Sequence, residues 1–313
     1  MHHTGGARLL PHRTRTRKTG FMSATNSSPP SVSIIIPAKN EAAGLRQLLP
    51  AMRAQYPLAE ILVVNDGSAD ETPEVCLQHK VKIVNHVYGM GNGAAIKSGA
   101  RAATGELLVF MDADGQHSPE DIPLLLDKLA MGFTMVVGAR SQDSQASVWR
   151  YLANSFYSRL ASWMTGHTIL DLTSGFRAAR AAEFREFLHL LPNGFSYPTT
   201  ITMAFFRAGY TVSYVPIQAG KRIGSSHINA ARDGLRFLLI IFRIGTLYSP
   251  LKLFFPISMF FLFTGMFYYA YTFFTIGRFT NMSALLFSTS VLVFLIGLVS
   301  EQITNLIYSR RND

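Results

Sequence analysis

Cysteine and charged residues are both scarce in this sequence. Its 313 residues contain one cysteine, Cys76, which excludes an internal disulfide and a cysteine-based zinc site. We expect Cys76 to be a buried apolar residue in a reducing compartment. Charged residues make up 15% of the chain, against about 25% in an average soluble protein. Because the shortage is greatest near the C-terminus, it indicates a membrane part.

Acidic residues are absent from residues 1–31, which instead carry Arg8, Arg13, Arg15, Arg17 and Lys18. This segment has no apolar periodicity, so we expect a disordered basic tail, with Met22 as an alternative start. It has no long apolar stretch, so we do not expect a secretory signal. The net charge of +10 favours nucleic acid, anionic lipid or phosphorylated substrates as partners.

Short apolar runs alternate with helical periods from residue 32 onward. Strands that are apolar at every position and alternate with helices predict an α/β fold with a parallel sheet covered on both faces. We also predict helices at 147–165, near 179–191 and at 198–208. The predicted strands are Val32–Pro37, Ile61–Asn65, Val81–Asn85, Leu107–Met111 and Thr134–Val137.

Two carboxylates follow the fourth predicted strand, in the sequence VFMDADGQH at 109–117. Ligands of such sheets bind at the carboxyl ends of the strands, where Asp112 and Asp114 would lie. A bound cation relieves the repulsion between the two charges, and carboxylate oxygens suit Mg²⁺ or Mn²⁺ together with substrate phosphates. The alternative is an ordinary turn, since Asp and Gly favour turns.

Other polar groups follow the neighbouring strands. Asp66 follows the second strand and is a candidate to accept hydrogen bonds from a ribose or a base. Gly91-Asn92-Gly93 opens a helical stretch and is a candidate to offer backbone N–H groups. Its spacing differs from a dinucleotide fingerprint.

Leu253–Gly277 and Asn281–Ser300 contain no charged residue. Each is long enough to cross a bilayer, and we predict a transmembrane hairpin with its turn near Arg278. Because the positive flanks of such helices stay cytoplasmic, both ends and the α/β domain are expected to face the cytoplasm. Residues 228–250 carry Arg232, Arg236 and Arg243 on one helical face and predict an amphipathic juxtamembrane helix. A core helix with a salt-bridged edge is the alternative.

Six motifs occur in order: PAKNEA at 37–42, VVNDGSADET at 63–72, GNGAAIKSGARAATG at 91–105, MDADGQHSPEDIP at 111–123, DLTSGFRA at 171–178 and RIGSSH at 222–227. Together they resemble family-2 glycosyltransferases of the GT-A fold. Within that family the chain is similar to the polyprenyl-phosphate hexose synthases, of which dolichyl-phosphate mannose synthase is the best-known type. The resemblance implies a doubly wound, mostly parallel sheet.

The resemblance also implies roles for individual residues. The metal would be held by Asp112, Asp114 and Gln116. The donor nucleotide would lie at Pro37, Ala38, Asn40, Glu41, Asp66 and Asp112. The acceptor phosphate would meet Arg140, Arg150, Arg177, Arg222 and Ser226. Asp114, Arg140 and Arg222 would act in catalysis.

The stretch at 222–227 departs from the family's R-x-G-K-S-K pattern, because Ser225 and His227 replace two lysines. His227 restores one charge below about pH 6.5. The departure puts in doubt the strength or the pH dependence of acceptor binding.

The reaction that the resemblance implies is an inverting transfer of one hexose from a nucleotide-diphosphate sugar to a polyprenyl phosphate in the bilayer. GDP-mannose is slightly favoured as donor, and UDP-glucose or a UDP-N-acetylhexosamine is the alternative. A phosphate acceptor is already ionised near neutral pH, so no strong general base is required. His117 is expected to support the site rather than to act as the base.

The sequence has three rival functional interpretations. A processive polysaccharide synthase would carry a Q-x-x-R-W motif and more membrane helices, which the sequence lacks. A catalytically silent membrane scaffold would not need Asp66, Asp112 and Asp114. Nucleic-acid binding is not expected, since anionic lipid explains the basic charge equally well.

We therefore expect an integral membrane protein, with possible homo-oligomers through the hairpin. The predicted organisation is a disordered tail (1–31), a GT-A domain (32–227), a juxtamembrane helix (228–250), a transmembrane hairpin (251–308) and a cytoplasmic tail (309–313).

Overall fold

Alternating helices and strands make up the part of the chain that is described in a computed structural model. It describes residues 29–140, 148–194, 196–218, 220, 242, 245–246 and 248–309, with 148–154 and 307–309 described by their backbone alone. The elements are β1 (Val32–Ala38), α1 (Ala42–Gln55), β2 (Glu60–Asn65), α2 (Thr72–Gln78), β3 (Lys82–Asn85), α3 (Asn92–Ala102), β4 (Leu107–Phe110), α4 (Ile122–Ala130), β5 (Met135–Arg140), α5 (Val148–Thr165), β6 (Arg177–Arg180), α6 (Ala181–Glu186), α7 (Tyr197–Arg207), β7 (Val212–Ile217), α8 (Pro250–Ile276) and α9 (Asn281–Ser309).

The strands are apolar throughout because both faces of the sheet are covered. In β1, Ile34 and Ile36 point to the face that carries α1, α2 and α4, while Ile35 points to the face that carries α3, α6 and α7. All three isoleucines are fully buried. Successive side chains of a strand point to opposite faces, so a strand between two helical layers needs an unbroken apolar run.

The described residues form a seven-stranded sheet in the order β3-β2-β1-β4-β6-β5-β7. The five predicted strands are confirmed, with ends that differ by up to three residues. The predicted GT-A arrangement, a doubly wound and mostly parallel sheet, is confirmed. The strand pairs are parallel except where β6 runs antiparallel to both β4 and β5.

Two strands were not predicted. The helix expected near 179–191 begins instead as β6, and α6 follows it directly at Ala181. The sequence of β6 is Arg-Ala-Ala-Arg, which is short and lacks β-branched residues, so its strand conformation comes from pairing on both sides. The helices predicted at 147–165 and 198–208 correspond to α5 and α7.

The C-terminal hairpin consists of α8 and α9, joined by a turn at residues 277–280. Both helices are long and apolar enough to cross a membrane, as Pro250–Ile276 and Asn281–Leu306. The helix bodies meet at a reciprocal serine pair: Ser258 Oγ donates to the Ser290 carbonyl (3.0 Å), and Ser290 Oγ donates to the Ser258 carbonyl (2.9 Å). The helix α9 continues past Ser300, where the uncharged stretch ends, and includes Glu301.

Several predicted features lie outside the described residues. They are most of the basic tail, nearly all of the juxtamembrane helix at 228–250, and the acceptor residues Arg222 and Ser226. Arg150 is described by its backbone alone, in α5.

Candidate active site

Asp112 and Asp114 lie at the carboxyl end of β4, between the end of β1 and the beginning of β6. The Asp112 side chain is 35% exposed, whereas Asp114 is buried. The Gln116 backbone N–H donates to Asp114 Oδ1 (3.1 Å) and closes the turn. The motif therefore presents one accessible carboxylate beside a second that the turn holds in place.

Gly175 lies against the Asp112 carboxylate. A Cβ at Gly175 would come within 2.8 Å of Asp112 Oδ2, which is closer than such contacts allow. Gly175 immediately precedes Phe176 and β6, whose first residue Arg177 pairs with Phe110 of β4. The residue before the antiparallel strand thus lies next to the Asp112 carboxylate, and it has no side chain that would collide with that carboxylate.

His117 lies between the acidic motif and Phe176. Its ring stacks on Phe176 with centroids 5.0 Å apart, and its Nε2 lies 3.8 Å from Asp112 Oδ2. Burial lowers the pKa of His117 and outweighs the opposing charges of Asp112 and Asp114. The neutral ring is therefore favoured. That His117 supports the site rather than acting as the base stays a prediction.

The loop after β1 carries the predicted donor residues beyond Pro37 and Ala38, which are themselves in the strand. Asn40 has a positive φ of 57° and is fixed at both ends: its N–H donates to Ser68 Oγ (2.9 Å), and its Oδ1 accepts from the Ala69 N–H (2.8 Å). The Glu41 N–H donates to Thr72 Oγ1 (3.2 Å). The loops after β1 and β2 are thereby joined into one wall of the cleft.

Asp66 holds a third loop. Its carboxylate accepts from the Met90 N–H (2.8 Å) and the Gly91 N–H (2.8 Å), and His86 Nδ1 lies 2.7 Å away. Burial tends to raise the pKa of Asp66, but the hydrogen bonds from His86, Met90 and Gly91 outweigh it and keep the pKa below its usual value. Asp66 thus shapes the 86–91 loop; its contact with a ribose or base stays a prediction.

The expectation of accessible N–H groups at Gly91-Asn92-Gly93 is wrong for both glycines. The Gly91 N–H is bound to Asp66, and the Gly93 N–H donates to the Gly194 carbonyl (3.2 Å). The next N–H, of Ala94, donates to the Asn193 carbonyl (2.8 Å). The 193–194 loop therefore caps the start of α3, which the sequence pattern could not reveal because the partners are distant in the chain.

Arg140 ends β5 and is oriented by Asp171. Its Nε and Nη2 donate to the two Asp171 oxygens (2.8 and 3.1 Å), and Nη2 also donates to Thr173 Oγ1 (2.7 Å). Burial opposes the charge of Arg140, but the bonds to Asp171 and the nearby charges of Asp112 and Asp114 raise its pKa. Arg140 is thus a fixed cation facing the acidic motif.

Arg177 lies in the interior. Its side chain is 0% exposed, and its guanidinium donates to the carbonyls of Ser174 and Pro198 and to Thr202 Oγ1. Burial lowers its pKa. This burial does not support the predicted contact of Arg177 with an acceptor phosphate, and we leave Arg177 out of the proposed acceptor site.

The carboxylates at the end of β4 are candidate ligands of a divalent cation. Among the described residues no group of three or more His, Cys, Asp and Glu side chains forms a metal cage. Two carboxylates at one strand end, with Gly175 leaving room beside Asp112, fit a hard cation that takes its remaining ligands from water and substrate phosphates. The residues therefore fit Mg²⁺ or Mn²⁺ shared with a diphosphate.

Comparison with protein families accounts for both parts of the chain. Residues 33–188 match the model of glycosyl transferase family 2. This part of the chain is therefore a family 2 glycosyltransferase domain. Residues 249–306 match the GtrB C-terminal hairpin, which corresponds to α8 and α9. The predicted resemblance is confirmed on these ranges.

Relatives of the family 2 domain include transferases named for a polyprenyl phosphate. Undecaprenyl-phosphate 4-deoxy-4-formamido-L-arabinose transferase from Klebsiella pneumoniae (strain 342) is 34% identical over 162 residues, 48% of each chain. The protein of the same name from Pseudomonas paraeruginosa (strain DSM 24068 / PA7) is 33% identical over 190 residues, 54% of this chain and 55% of the relative. The matched part of the chain spans about half the length of these curated relatives.

Solved structures share the fold. A crystal structure of glucosyl-3-phosphoglycerate synthase from Mycobacterium tuberculosis, in complex with Mn²⁺ and uridine-diphosphate-glucose, matches with a TM-score of 0.54 and 20% identity. The match covers 67% of this chain and 77% of that one. Another structure of the same enzyme has a TM-score of 0.52 and 19% identity, covering 68% and 80%. At these identities the likeness shows the GT-A fold.

Sequence reasoning missed three residues that shape the site: Asp171, Gly175 and His86. The pattern Asp-Leu-Thr-Ser at 171–174 is typical of a turn in which the Asp side chain accepts backbone N–H groups, and Asp171 accepts from Thr173 and Ser174 (3.1 Å each). That pattern could have identified the turn, but it could not have identified the bond between Asp171 and Arg140. Gly175 and His86 gave no local signal, because each acts through a tertiary contact.

Proposed function

We propose that this protein transfers one sugar from a nucleotide-diphosphate sugar to a polyprenyl phosphate. The proposal rests on one observation above others: the acidic motif of a family 2 domain lies on the same chain as a GtrB-type hairpin. Relatives named undecaprenyl-phosphate transferases support this substrate class. A water-soluble acceptor would give the enzyme no use for a membrane hairpin.

The donor is proposed to lie across the ends of β1, β2 and β4. Pro37, Ala38, Asn40 and Glu41 form one wall of that cleft, and Asp66 holds the neighbouring 86–91 loop in place. Asp112 and Asp114, with Gln116, are the proposed holders of Mg²⁺ or Mn²⁺. When bound, the cation supplies positive charge to the diphosphate leaving group. Asp112 serves the donor as well, because its carboxylate is the more exposed of the two.

The acceptor phosphate is proposed to lie at the β5 side of the cleft. Arg140 is preoriented there by Asp171, and a fixed guanidinium binds phosphate oxygens well. Arg150, Arg222 and Ser226 are proposed as further acceptor ligands, with Arg222 acting in catalysis beside Asp114 and Arg140. The ionised acceptor oxygen attacks the anomeric carbon opposite the leaving diphosphate, so the product has inverted configuration.

A test with several donors identifies the sugar that is transferred. The resemblance slightly favoured GDP-mannose, whereas the relatives reported above are named for a formamido-arabinose. Those names specify undecaprenyl phosphate rather than dolichyl phosphate. We therefore propose the polyprenyl phosphates as the acceptor class and include a mannose, a glucose, an N-acetylglucosamine and a formamido-arabinose donor in the test.

The hairpin is proposed to span the bilayer, with the family 2 domain on the cytoplasmic side. Lys252 at the start of α8 and the basic residues that follow α9 support this orientation. Assembly of several copies through the hairpin stays a prediction.

The test is transfer of radiolabelled sugar from each donor to undecaprenyl phosphate by purified full-length protein, with Mg²⁺, with Mn²⁺ and with chelator. We expect labelled lipid from one donor, loss of labelling with chelator, and loss in Asp114→Ala. The matched control is Asp127→Ala, which removes an exposed carboxylate of α4 and should leave labelling unchanged. Folded protein that labels no lipid with any donor contradicts the proposal and favours a silent scaffold.

A further inference from the structure

The base of the hairpin is joined to the family 2 domain by a charged contact. Arg207, the last residue of α7, donates from Nη2 to Glu301 Oε1 (3.2 Å) and to Asn305 Oδ1 (2.6 Å) on α9. The second Glu301 oxygen, Oε2, accepts from the Leu251 N–H (3.3 Å) in the first turn of α8. One carboxylate thereby connects three helices.

The contact is partly shielded from solvent. The side chains of Arg207 and Glu301 are 22% and 20% exposed, and the Arg207 guanidinium lies over the Tyr248 ring, 5.9 Å from its centroid. Removing one member of a shielded ion pair leaves the other charge without its partner, which costs more than breaking a fully exposed pair. This geometry distinguishes Arg207 from an ordinary surface arginine.

The position of Glu301 along α9 corresponds to the membrane boundary. Residues 281–300 are uncharged, and Glu301 follows them directly. At 1.5 Å per residue the uncharged stretch is about 30 Å long, which equals the thickness of a hydrocarbon core. Glu301 is therefore the first charge that α9 carries where it leaves the bilayer.

The other end of α7 reaches the acidic motif. Tyr197 OH donates to the Gly175 carbonyl (3.1 Å), and Gly175 is the residue that leaves room for the Asp112 carboxylate. The helix is buried from Tyr197 to Phe205, so it is packed on all sides between its two ends. A helix held in this way moves as a rigid body and transmits the position of one end to the other.

We infer that Arg207, Glu301 and Asn305 form a clamp that sets the position of the acidic motif relative to the membrane. The inference rests on the proposed function, and Arg207 acts in it as a positioning residue for a lipid-borne acceptor phosphate. Weakening the clamp should therefore impair use of an acceptor held in the bilayer. It should not impair donor binding, because the loops that form the donor wall make their own hydrogen bonds.

The kinetic test compares two acceptors on full-length protein in phospholipid vesicles: undecaprenyl phosphate, which is held in the bilayer, and geranyl phosphate, which is short enough to reach the site from water. For Arg207→Ala and for Glu301→Gln, we expect the KM for undecaprenyl phosphate to rise about tenfold. The KM for geranyl phosphate and the affinity for the donor should change less than about twofold. Equal losses on both acceptors, or no loss on either, would overturn the clamp.

Two further variants separate positioning from folding. Arg101→Ala removes an exposed arginine in the last turn of α3, which is not part of the contact with the hairpin, and should leave both KM values unchanged. The pair Arg207→Glu with Glu301→Arg restores opposite charges in reversed order. We expect the double variant to bind undecaprenyl phosphate better than the product of the two single effects predicts, whereas independent effects contradict the contact.

A measurement without turnover tests the clamp even if the proposed function fails. Hydrogen exchange of residues 197–205 reports how firmly α7 is packed, and we expect Arg207→Ala to accelerate it about tenfold while Arg101→Ala does not. Unchanged exchange would overturn the clamp whatever the enzyme transfers. Accelerated exchange in a protein that labels no lipid would support the clamp and reject only the proposed reaction.

Discussion

Phenylalanine occupies opposite environments in the two regions of this molecule. In the family 2 domain Phe110 and Phe184 are fully buried, with ring centroids 4.5 Å apart. In the hairpin Phe267 and Phe274 are 75% and 85% exposed. The buried rings pack against protein, whereas the exposed rings along the hairpin favour lipid as their surroundings, in agreement with the proposed membrane span. The same residue type thus indicates two different environments.

Polar side chains differ between the regions in a corresponding way. In the family 2 domain, carboxylates such as Asp66 bind backbone N–H groups of loops and fix their shape. In the hairpin, Ser258 and Ser290 bind each other's helices, because backbone groups there are already satisfied within each helix. Polar groups shape loops in one region and align helices in the other.

The largest expected effect comes from placing a charge on an exposed apolar residue in each region. Phe267→Asp should hinder membrane insertion by about 3 kcal/mol, since a carboxylate in hydrocarbon lacks water. Leu58→Asp, at a position that is 98% exposed in the family 2 domain, should change stability by less than about 0.5 kcal/mol. The measurement is the fraction of each variant inserted into membranes; equal fractions would mean that lipid does not surround the hairpin.

The next largest effect concerns how closely the family 2 domain packs around the Asp112 carboxylate. Gly175→Ala places a methyl group against Asp112 and should lower kcat/KM by about a hundredfold, or about 2.7 kcal/mol, with little loss of stability. Gly194→Ala is the control, because a Cβ at Gly194 meets open space. The check is kcat/KM beside the midpoint of thermal unfolding. Full activity in Gly175→Ala would show that the position of Asp112 is not critical.

A smaller effect concerns the loop bonds of Asp66. The folded-state pKa of Asp66 lies below its unfolded value of about 3.9, so its stabilisation is complete above that pH and is lost as the pH falls through the folded-state pKa. Asp66→Asn should lower the free energy of unfolding by about 1–2 kcal/mol at pH 7, and the difference from the wild type should shrink below about pH 4.

Urea unfolding of the purified protein at several pH values measures this difference. The control is Asp127→Asn, which changes an exposed side chain of α4 and should leave the free energy of unfolding at pH 7 nearly unchanged. A gap between wild type and Asp66→Asn that stays constant down to about pH 3 would show that the charge of Asp66 does not stabilise the loop.

The smallest effect belongs to the serine pair of the hairpin. Ser258→Ala removes one hydroxyl of a buried interhelical pair and should cost about 0.6 kcal/mol, because such bonds in membranes are worth little more than in water. Unfolding of the hairpin in mixed micelles measures it. Thr275→Ala, whose hydroxyl bonds within its own helix to Tyr271, is the control and should cost less.

Much of the fold could be predicted from the sequence because its signals are local. The apolar run of β1 and the uncharged stretches of α8 and α9 depend on composition alone, and the structure confirms them. The strand β6 could not be predicted, since Arg-Ala-Ala-Arg has no strand preference of its own and takes that conformation between β4 and β5. The hairpin was predicted to extend to residue 308, past the uncharged stretch, but the bond of Glu301 to Arg207 could not be predicted because the two residues are 94 positions apart in the chain.

The candidate site likewise has residues that local signals predicted and residues that depend on distant partners. Asp112 and Asp114 were predicted from their place after a buried strand, which is a local feature. The partners that orient the site were not: Asp171 reaches Arg140, and Gly175 reaches Asp112, only because β6 returns antiparallel through the sheet. Arg177 was placed on the acceptor side by resemblance, yet the pairing of β6 on both sides takes it into the core.

The antiparallel strand also determines the width of the cleft. Since β6 lies between β4 and β5, the strand end that carries the acidic motif and the strand end that carries Arg140 are two strand spacings apart, about 10 Å. Because β6 runs in the opposite direction, its beginning lies between those two ends. The backbone of Gly175 and Phe176 therefore forms the floor of the gap. The reversed strand therefore sets the separation between the acidic motif and Arg140, and the proposed donor would lie across that gap.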